Sequence, residues 1–416
     1  MRIGFVSTRF AGTDGVSLET RKIGHILATL GHECFYCAGE LDPDLPGMLD
    51  PRFHFMDPAV LGLQERAFAD SRPDPALAAE IAAMAQDLQI ALDEFCTTRA
   101  IDILVPQNAL AIPMHLPLGL ALTNFIQERQ MPAVAHHHDF FWERSRFDQC
   151  RVPEILNAAF PPDLPTLRHM VINSLAQASL QARLGLDSVI LPNIFDYEAA
   201  APGMSERNRD LRHALGLSDD HLLLLQPTRV IPRKGIELAV ELTARLRRPH
   251  FRERLLGKEA VLVISHKAGD EGMDYLRQLQ YQAEAAAVPL LYAGDLFTSA
   301  EGAGDGRFSL WDAYVHADFV TYPSYIEGFG NALLETLYFR LPALVNRYPV
   351  YCSDLDAIGL DLVEIDGEIT DATVESVIAA MMDPVRRHRM TEQNYEVARA
   401  HFSYAAVTPI LAQLFA

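Results

Sequence analysis

Apolar residues return along this chain in two rhythms. Short unbroken runs, bounded by polar residues, Gly or Pro, fall at 2–7, 33–37, 101–105, 169–173 and 188–191, and again at 222–226, 261–265, 289–292, 319–322 and 343–346. Runs of that length without alternation predict strands buried on both faces. Between them apolar residues recur every third or fourth position: Ile23, Ile26, Leu27 and Leu30 before Gly31, then 75–97, 236–246 and 309–316, the set Ala332, Leu333, Leu334 and Leu337, and a tail over 386–416 with Val397, Phe402, Val407, Ile410, Leu411 and Leu414. Those predict helices. Strand alternating with helix predicts an α/β chain with parallel sheets. At 416 residues the chain suits two domains. The stretch 197–208, which contains Ala199-Ala200-Ala201-Pro202-Gly203, is the expected linker. The expected division is 1–197, 198–395 and a helical tail at 396–416.

The densest chemistry is in 321–337, TYPSYIEGFGNALLETL. Glu327 and Glu335 bracket Gly328, Phe329 and Gly330, and Asn331 is placed to cap the following helix. A helix start offers unpaired N–H groups and the positive dipole end, which suits a phosphate, and small glycines allow close approach. Two carboxylates suit vicinal hydroxyls of a sugar or ribose. A second cluster follows the run at 222–226: Arg229, Arg233, Lys234 and Gly235, cations at the carboxyl end of a buried strand.

PSYIEGFGNALLE, with Ala317-Asp318 before it, resembles the E-x7-E signature of retaining GT-B glycosyltransferases of family 4, relatives of sucrose-phosphate synthase and phosphatidylinositol mannosyltransferase. The resemblance implies two Rossmann-like α/β/α domains facing a central cleft, with a C-terminal helix crossing back to the first. It implies that Glu327 contacts donor-sugar hydroxyls and Glu335 the ribose, and that Arg229 and Lys234, in R-x4-K-G, hold the diphosphate. It places Gly12 and Gly15 near the donor phosphates, backbone around Leu296 near the base, and a histidine, matched best by His138, beside the donor sugar. Gly328, Phe329, Gly330 and Asn331 complete the donor set. Transfer is then retaining and metal-independent, with a nucleoside-diphosphate sugar of UDP-glucose or GDP-mannose type as donor and no cofactor. Pro192-Asn193-Ile194-Phe195-Asp196 departs from the family's Pro-Asn-Gly-x-Asp at Ile194.

His136-His137-His138 suggests a metal, but neighbours on a strand point to opposite faces, so three in a row chelate one ion poorly. Any of the three could be the one facing the sugar. Trp142, Arg144 and Arg146 just beyond are acceptor-binding candidates, an aromatic face for a sugar and arginines for an anion, with a core aromatic cluster as the plain alternative. Asp42-x-Asp44 has the form of a metal pair but sits among prolines without a flanking apolar strand and reads as a surface loop, Asp354-x-Asp356 reads as a capped helix start, and G-x-G-x-x-G and G-x-S-x-G are absent.

Composition narrows the partners. With 49% hydrophobic and 22% charged residues the chain is of globular type. A net charge of −20 argues against nucleic acid and against docking on an anionic membrane. No apolar run reaches a membrane span, and Met1 to Val6 lacks the form of a signal peptide, so a cytoplasmic location without integral membrane association is expected. Five scattered cysteines suggest reduced thiols, and Cys34-x-x-Cys37 reads as packing. The expected function is hexosyl transfer to a small soluble acceptor, anionic if the arginines grip it, in the manner of a compatible-solute precursor; self-association is left open. A membrane-surface lipid or polysaccharide-precursor transferase, a GT-B phosphorylase or epimerase, and a two-domain binding protein are the alternatives.

Overall fold

The computed structural model describes residues 1–12, 14–269, 271–298 and 307–416. They form two compact units, Met1–Asn193 with Val407–Ala416, and Ile194–Ala406. The divisions thus fall at 193/194 and 406/407, against the expected 197/198 and 395/396.

The first unit is built on seven strands: β1 (Arg2–Val6), β2 (Glu33–Ala38), β3 (Gly47–Leu49), β4 (Ile103–Pro106), β5 (Ala133–His137), β6 (Leu167–Val171) and β7 (Ser188–Ile190). Their order across the sheet is β3-β2-β1-β4-β5-β6-β7, all pairings parallel. β1 is central, with Ile3 opposite Cys34 on one side and Ile103 on the other. That position explains its unbroken apolar run, since Ile3, Phe5 and Val6 are all fully buried.

In the second unit β8 (His221–Gln226), β9 (Glu259–Ile264) and β10 (Leu290–Tyr292) precede a small pairing of β11 (Phe297–Thr298) with β12 (Phe308–Ser309), then β13 (Phe319–Tyr322), β14 (Ala343–Asn346) and β15 (Val363–Ile365). The main sheet is again parallel, in the order β10-β9-β8-β13-β14-β15. Leu222, Leu224 and Leu262 pack with Ile236, Leu242 and Leu246 of the helix Ile236–Leu246 on one face, while Leu223, Leu225, Val261 and Val320 meet Ala313 and Tyr314 of the helix Leu310–His316 on the other.

Strand order is what positions chemistry here. In the first sheet the chain adds strands outward from β1 through β2 and β3, then restarts on the other side at β4. In the second it runs from β8 to β10 and restarts at β13. The carboxyl ends of β1/β4 and of β8/β13 are therefore switch points, where the loops part and leave a crevice.

The expected linker at 197–208 is instead packed into the second unit. Tyr197 is 1% exposed, its hydroxyl donates to the Leu334 carbonyl at 3.0 Å, and its own carbonyl accepts from Tyr395 Oη at 2.5 Å. Asn208 is also buried, its amide donating to Asp312 Oδ1 at 3.0 Å. Gly, Pro and Ala made this segment look like a spacer; two buried anchors at its ends make it part of the fold.

Candidate active site

At the second switch point the two loops are stitched together. β8 leads through Thr228 and the exposed Arg229 to a single turn, Pro232–Lys234, and Gly235 follows with φ +60°. A Cβ on Gly235 would lie 2.4 Å from the Pro323 carbonyl oxygen, so only glycine lets the loops approach this closely. Tyr325 N–H donates to the Arg233 carbonyl at 2.9 Å, and Arg233 Nη1 donates to the Ile326 carbonyl at 2.9 Å.

This stitching brings Lys234 Nζ to 2.5 Å from Glu327 Oε1, with Arg233 Nη1 3.4 Å from the other carboxylate oxygen. Both members of the pair are buried, at 8% and 9% exposed. Burial alone would raise the Glu327 carboxyl, but the Lys234 charge and hydrogen bond, with Arg233 behind them, hold it below the ordinary range. Burial also pushes the Lys234 ammonium down; Glu327 offsets this in part, while Arg233 and Arg229 add to it. A lysine under that pressure gains from an arriving anion. Tyr322, fully buried beside the carboxylate, is pushed well above the usual phenol range by burial and then by Glu327.

The helix after the glycines runs Asn331–Tyr338. Asn331 does not cap it: the cap is Gly330, at φ +133°, without a side-chain hydrogen bond. The chain enters the helix through a conformation closed to asparagine, so Asn331 becomes its first helical residue. Glu335 lies one turn in, half-buried, and accepts from the buried Tyr314 hydroxyl at 2.7 Å. Phe329 is 3% exposed, edge-on to Phe402, and its carbonyl accepts from Tyr348 at 2.7 Å, so its side chain belongs to the core. Gly328 is exposed. Leu296 has both backbone groups engaged, N–H to the Ala293 carbonyl and C=O to Phe308 N–H, each at 2.9 Å.

In the first unit, Gly12 is exposed at φ +71°, and Gly15 opens the helix Gly15–Thr29. Asp14 caps the helix, accepting from Val16 and Ser17 N–H at 3.1 Å each and from Ser17 Oγ at 2.7 Å, and it also holds Arg9 Nη2 at 3.1 Å. Beside it, the carboxyl ends of β1 and β4 enclose a hollow of about 130 Å³, lined among others by Ser7, Arg9, Gln107, Asn108 and His115.

The histidine run alternates as a strand must. His137 turns to His169, Nε2 to Nδ1 at 2.9 Å, while His136 and His138 share the opposite side with ring centres 4.4 Å apart. His136 Nδ1 meets Gln107 Oε1 at 2.9 Å. Burial, before any neighbouring charge, depresses all three below the ordinary imidazole pKa. His138 has its backbone N–H fixed by Asn108 Oδ1 at 3.0 Å, and its Nε2 has no protein partner among the described residues.

The three acceptor candidates have partners of their own. Trp142 stacks on Phe140 at 4.4 Å, donates Nε1–H to Ser179 at 2.9 Å, and has the Arg183 guanidinium 5.2 Å from its ring centre. Arg144 pairs with Asp139. Arg146 lies over the Phe147 ring at 4.6 Å. Asp42 and Asp44 close on the two arms of Arg21 at 2.6 and 2.7 Å, which accounts for their pairing in sequence. Cys34 and Cys37 are free; burial raises both thiols, Cys34 to about 12. No group of three or more His, Cys, Asp or Glu side chains placed to hold a metal occurs among the described residues, and no described helix is long and apolar enough to cross a membrane.

The sequence pattern singled out the glutamates and cations of the second unit as candidates; it did not single out Arg9, Asp14, Gln107, Tyr314 or Tyr322. For Arg9, Gln107 and Tyr322 the only signal was position at or just past a strand end whose neighbours in the sheet a sequence does not give; Asp14 caps a helix and Tyr314 lies within one.

Two parallel α/β units, with a cation–carboxylate pair and a glycine-led helix start at the switch point of the second, define a GT-B glycosyltransferase. Residues 208–397 match the family model described as "Glycosyl transferases group 1". The chain belongs to that family: it is 32% identical over 448 residues to the mannosylglucosylglycerate synthase of Thermotoga maritima, an alignment covering 99% of each chain. Among solved structures, sucrose-phosphate synthase from Thermosynechococcus elongatus superposes with TM-score 0.68 at 14% identity, covering 100% of this chain and 98% of that one. The Anabaena protein HepE, solved with UDP and glucose, superposes at 0.67 and 15% identity, covering 100% and 99%. At those identities the likeness is one of fold.

Proposed function

We propose that this glycosyltransferase moves a hexose, with retention at the anomeric carbon, from a nucleoside-diphosphate sugar to a small soluble acceptor that carries a glycerate group. The observation that carries the donor half is the buried Lys234–Glu327 pair at the β8/β13 switch point. As the sugar–phosphate bond breaks, negative charge grows on the departing diphosphate. Lys234 and Arg229 are the cations to meet it, aided by the start of the helix Asn331–Tyr338. Lys234 then exchanges part of its bond with Glu327 for the phosphate, freeing the carboxylate to accept from sugar hydroxyls. Glu335, held by Tyr314, accepts from the ribose.

Transfer breaks the bond from anomeric carbon to phosphate oxygen and forms one to the acceptor oxygen on the same face. The acceptor's proton passes to the leaving diphosphate, so neither glutamate need act as nucleophile and no metal is called on. The acceptor class is supported by the name of the Thermotoga relative, which joins mannose, glucose and glycerate. By that parallel the donor is of GDP-mannose type and the acceptor a glucosylated glycerate, with a UDP-glucose type donor as the alternative. Soluble substrates fit a cytoplasmic enzyme. Incubation with each sugar nucleotide and such acceptors, followed by proton NMR of the product, tests this: one donor should yield a glycoside with the donor's own anomeric configuration. An inverted product, or free sugar as the only product, would overturn it.

A further inference from the structure

Gln107 is an anomaly of the first unit. Its side chain is 0% exposed, and its Oε1 is fixed by His136 at 2.9 Å, yet Nε2 has no protein partner among the described residues. A buried amide nitrogen without an acceptor is costly, and native proteins leave one so chiefly where a ligand or water completes it. Gln107 lines the hollow between the ends of β1 and β4. Arg9 lines it too, the one Lys or Arg to do so among the described residues.

Arg9 is aimed rather than loose. Asp14 takes its Nε at 3.3 Å and Nη2 at 3.1 Å, while the same carboxylate is anchored to the first turn of its helix. That leaves the rest of a five-donor fork. Among the described residues Asp14 is the one carboxylate in the lining, and its charge is met by two backbone N–H groups and the Ser17 hydroxyl as well as by Arg9. The other titratable lining group, His115, is spent: Nδ1 accepts from Leu118 N–H at 3.1 Å, Nε2 donates to the Arg52 carbonyl at 2.9 Å, and burial lowers it to about 4. Val16, Ile112, Met114 and Leu118 complete the wall. Apolar walls strengthen any charge-assisted bond made inside. About 130 Å³ is the room of roughly four waters, enough for a carboxylate with its neighbouring hydroxylated carbon but not for a sugar.

We propose that this hollow is the carboxylate subsite of the acceptor, with the Gln107 amide and the Arg9 guanidinium as its two donors, in place of Arg144 and Arg146. The proposal rests on the transferase reading above and adds which groups select an acidic acceptor.

D-glycerate and glycerol make a matched probe pair, identical but for the carboxylate. Titrated into the full chain by calorimetry, glycerate should bind and glycerol should show at least tenfold weaker binding. Gln107→Glu keeps an oxygen toward His136 but turns the donor into a repelling acceptor; Arg9→Gln removes the charge from a half-exposed position and leaves the core intact. Each should weaken glycerate by about tenfold or more, and in turnover each should raise acceptor KM while donor KM stays within about twofold. Equal affinity for glycerate and glycerol, or wild-type glycerate binding by the folded Arg9→Gln protein, would overturn the proposal. The binding arm decides it even if no donor supports transfer, an outcome that would instead sink the transferase reading.

Discussion

Replacing Lys234 by methionine keeps the shape of the side chain and deletes the charge opposite Glu327. At 2.5 Å and an effective dielectric constant of about 20, the lost attraction is about 7 kcal/mol, and Arg233 at 3.4 Å retains about 5 kcal/mol of its own. Against these stands the cost of keeping both charges from water, so the net penalty for orphaning one partner of a buried pair is typically ~3–5 kcal/mol. With Arg233 still present we expect about 2–4 kcal/mol, a fall in Tm of roughly 5–12 °C for a unit of this size. The double variant Lys234→Met, Glu327→Gln carries no buried charge and should recover most of it.

The pH dependence should separate the two as well. In the native chain the Glu327 carboxyl is depressed, so it contributes stability above its unfolded pKa of about 4.3, lost as pH falls through the folded value. Without Lys234, burial dominates and the folded carboxyl rises above that value, so its penalty grows as pH rises. The Tm gap between Lys234→Met and wild type should therefore be wider at pH 7 than at pH 5. Differential scanning fluorimetry of the three proteins at both values measures this. A gap under about 2 °C at pH 7, or a double variant no better than the single, would refute the electrostatic argument.

Further outcomes follow from the same geometry. Gly330→Ala places a Cβ 2.9 Å from Tyr348 Oη on backbone at φ +133°, and should cost about 2–4 kcal/mol in chemical denaturation. Tyr314→Phe removes the donor to Glu335; donor KM should rise about tenfold for a ribonucleotide donor and much less for its 2′-deoxy analogue, while kcat changes little. His115, 2% exposed, is held near 4 by burial against about 6.5 unfolded, so the unfolded chain binds the extra proton between those values and stability falls as pH drops from 6.5 toward 4. In His115→Asn, which can still cap its helix, urea unfolding should lose about 1.4 kcal/mol per pH unit of that slope.

Much of this fold was legible because buried parallel strands must be continuous apolar runs: Leu222 to Leu225 could be nothing else. Helix turns apolar on every side were not. In Leu116–Arg129, LPLGLALTNFIQER, the first two turns carry no polar residue, and the Cβ site of Gly119 is filled by the Phe160 ring at 2.1 Å. Period vanishes when every face is inside. In the candidate site, Glu327, Glu335 and Lys234 carried a spacing signal, whereas the Asn331 cap failed because backbone angle, set by packing around Gly330, outranked side-chain preference. Arg9 and Gln107 lie 98 positions apart and meet only because β4 returns beside β1, a fact of strand order that no local pattern holds.

Where a nucleoside diphosphate binds is the most direct test of the site at Lys234 and Glu327. A crystal structure of the chain soaked with one should place phosphate oxygens within hydrogen-bond reach of Lys234 Nζ and of the first N–H groups of Asn331–Tyr338, with the ribose hydroxyls on Glu335. A nucleotide bound elsewhere, with the Lys234–Glu327 pair undisturbed, would contradict it.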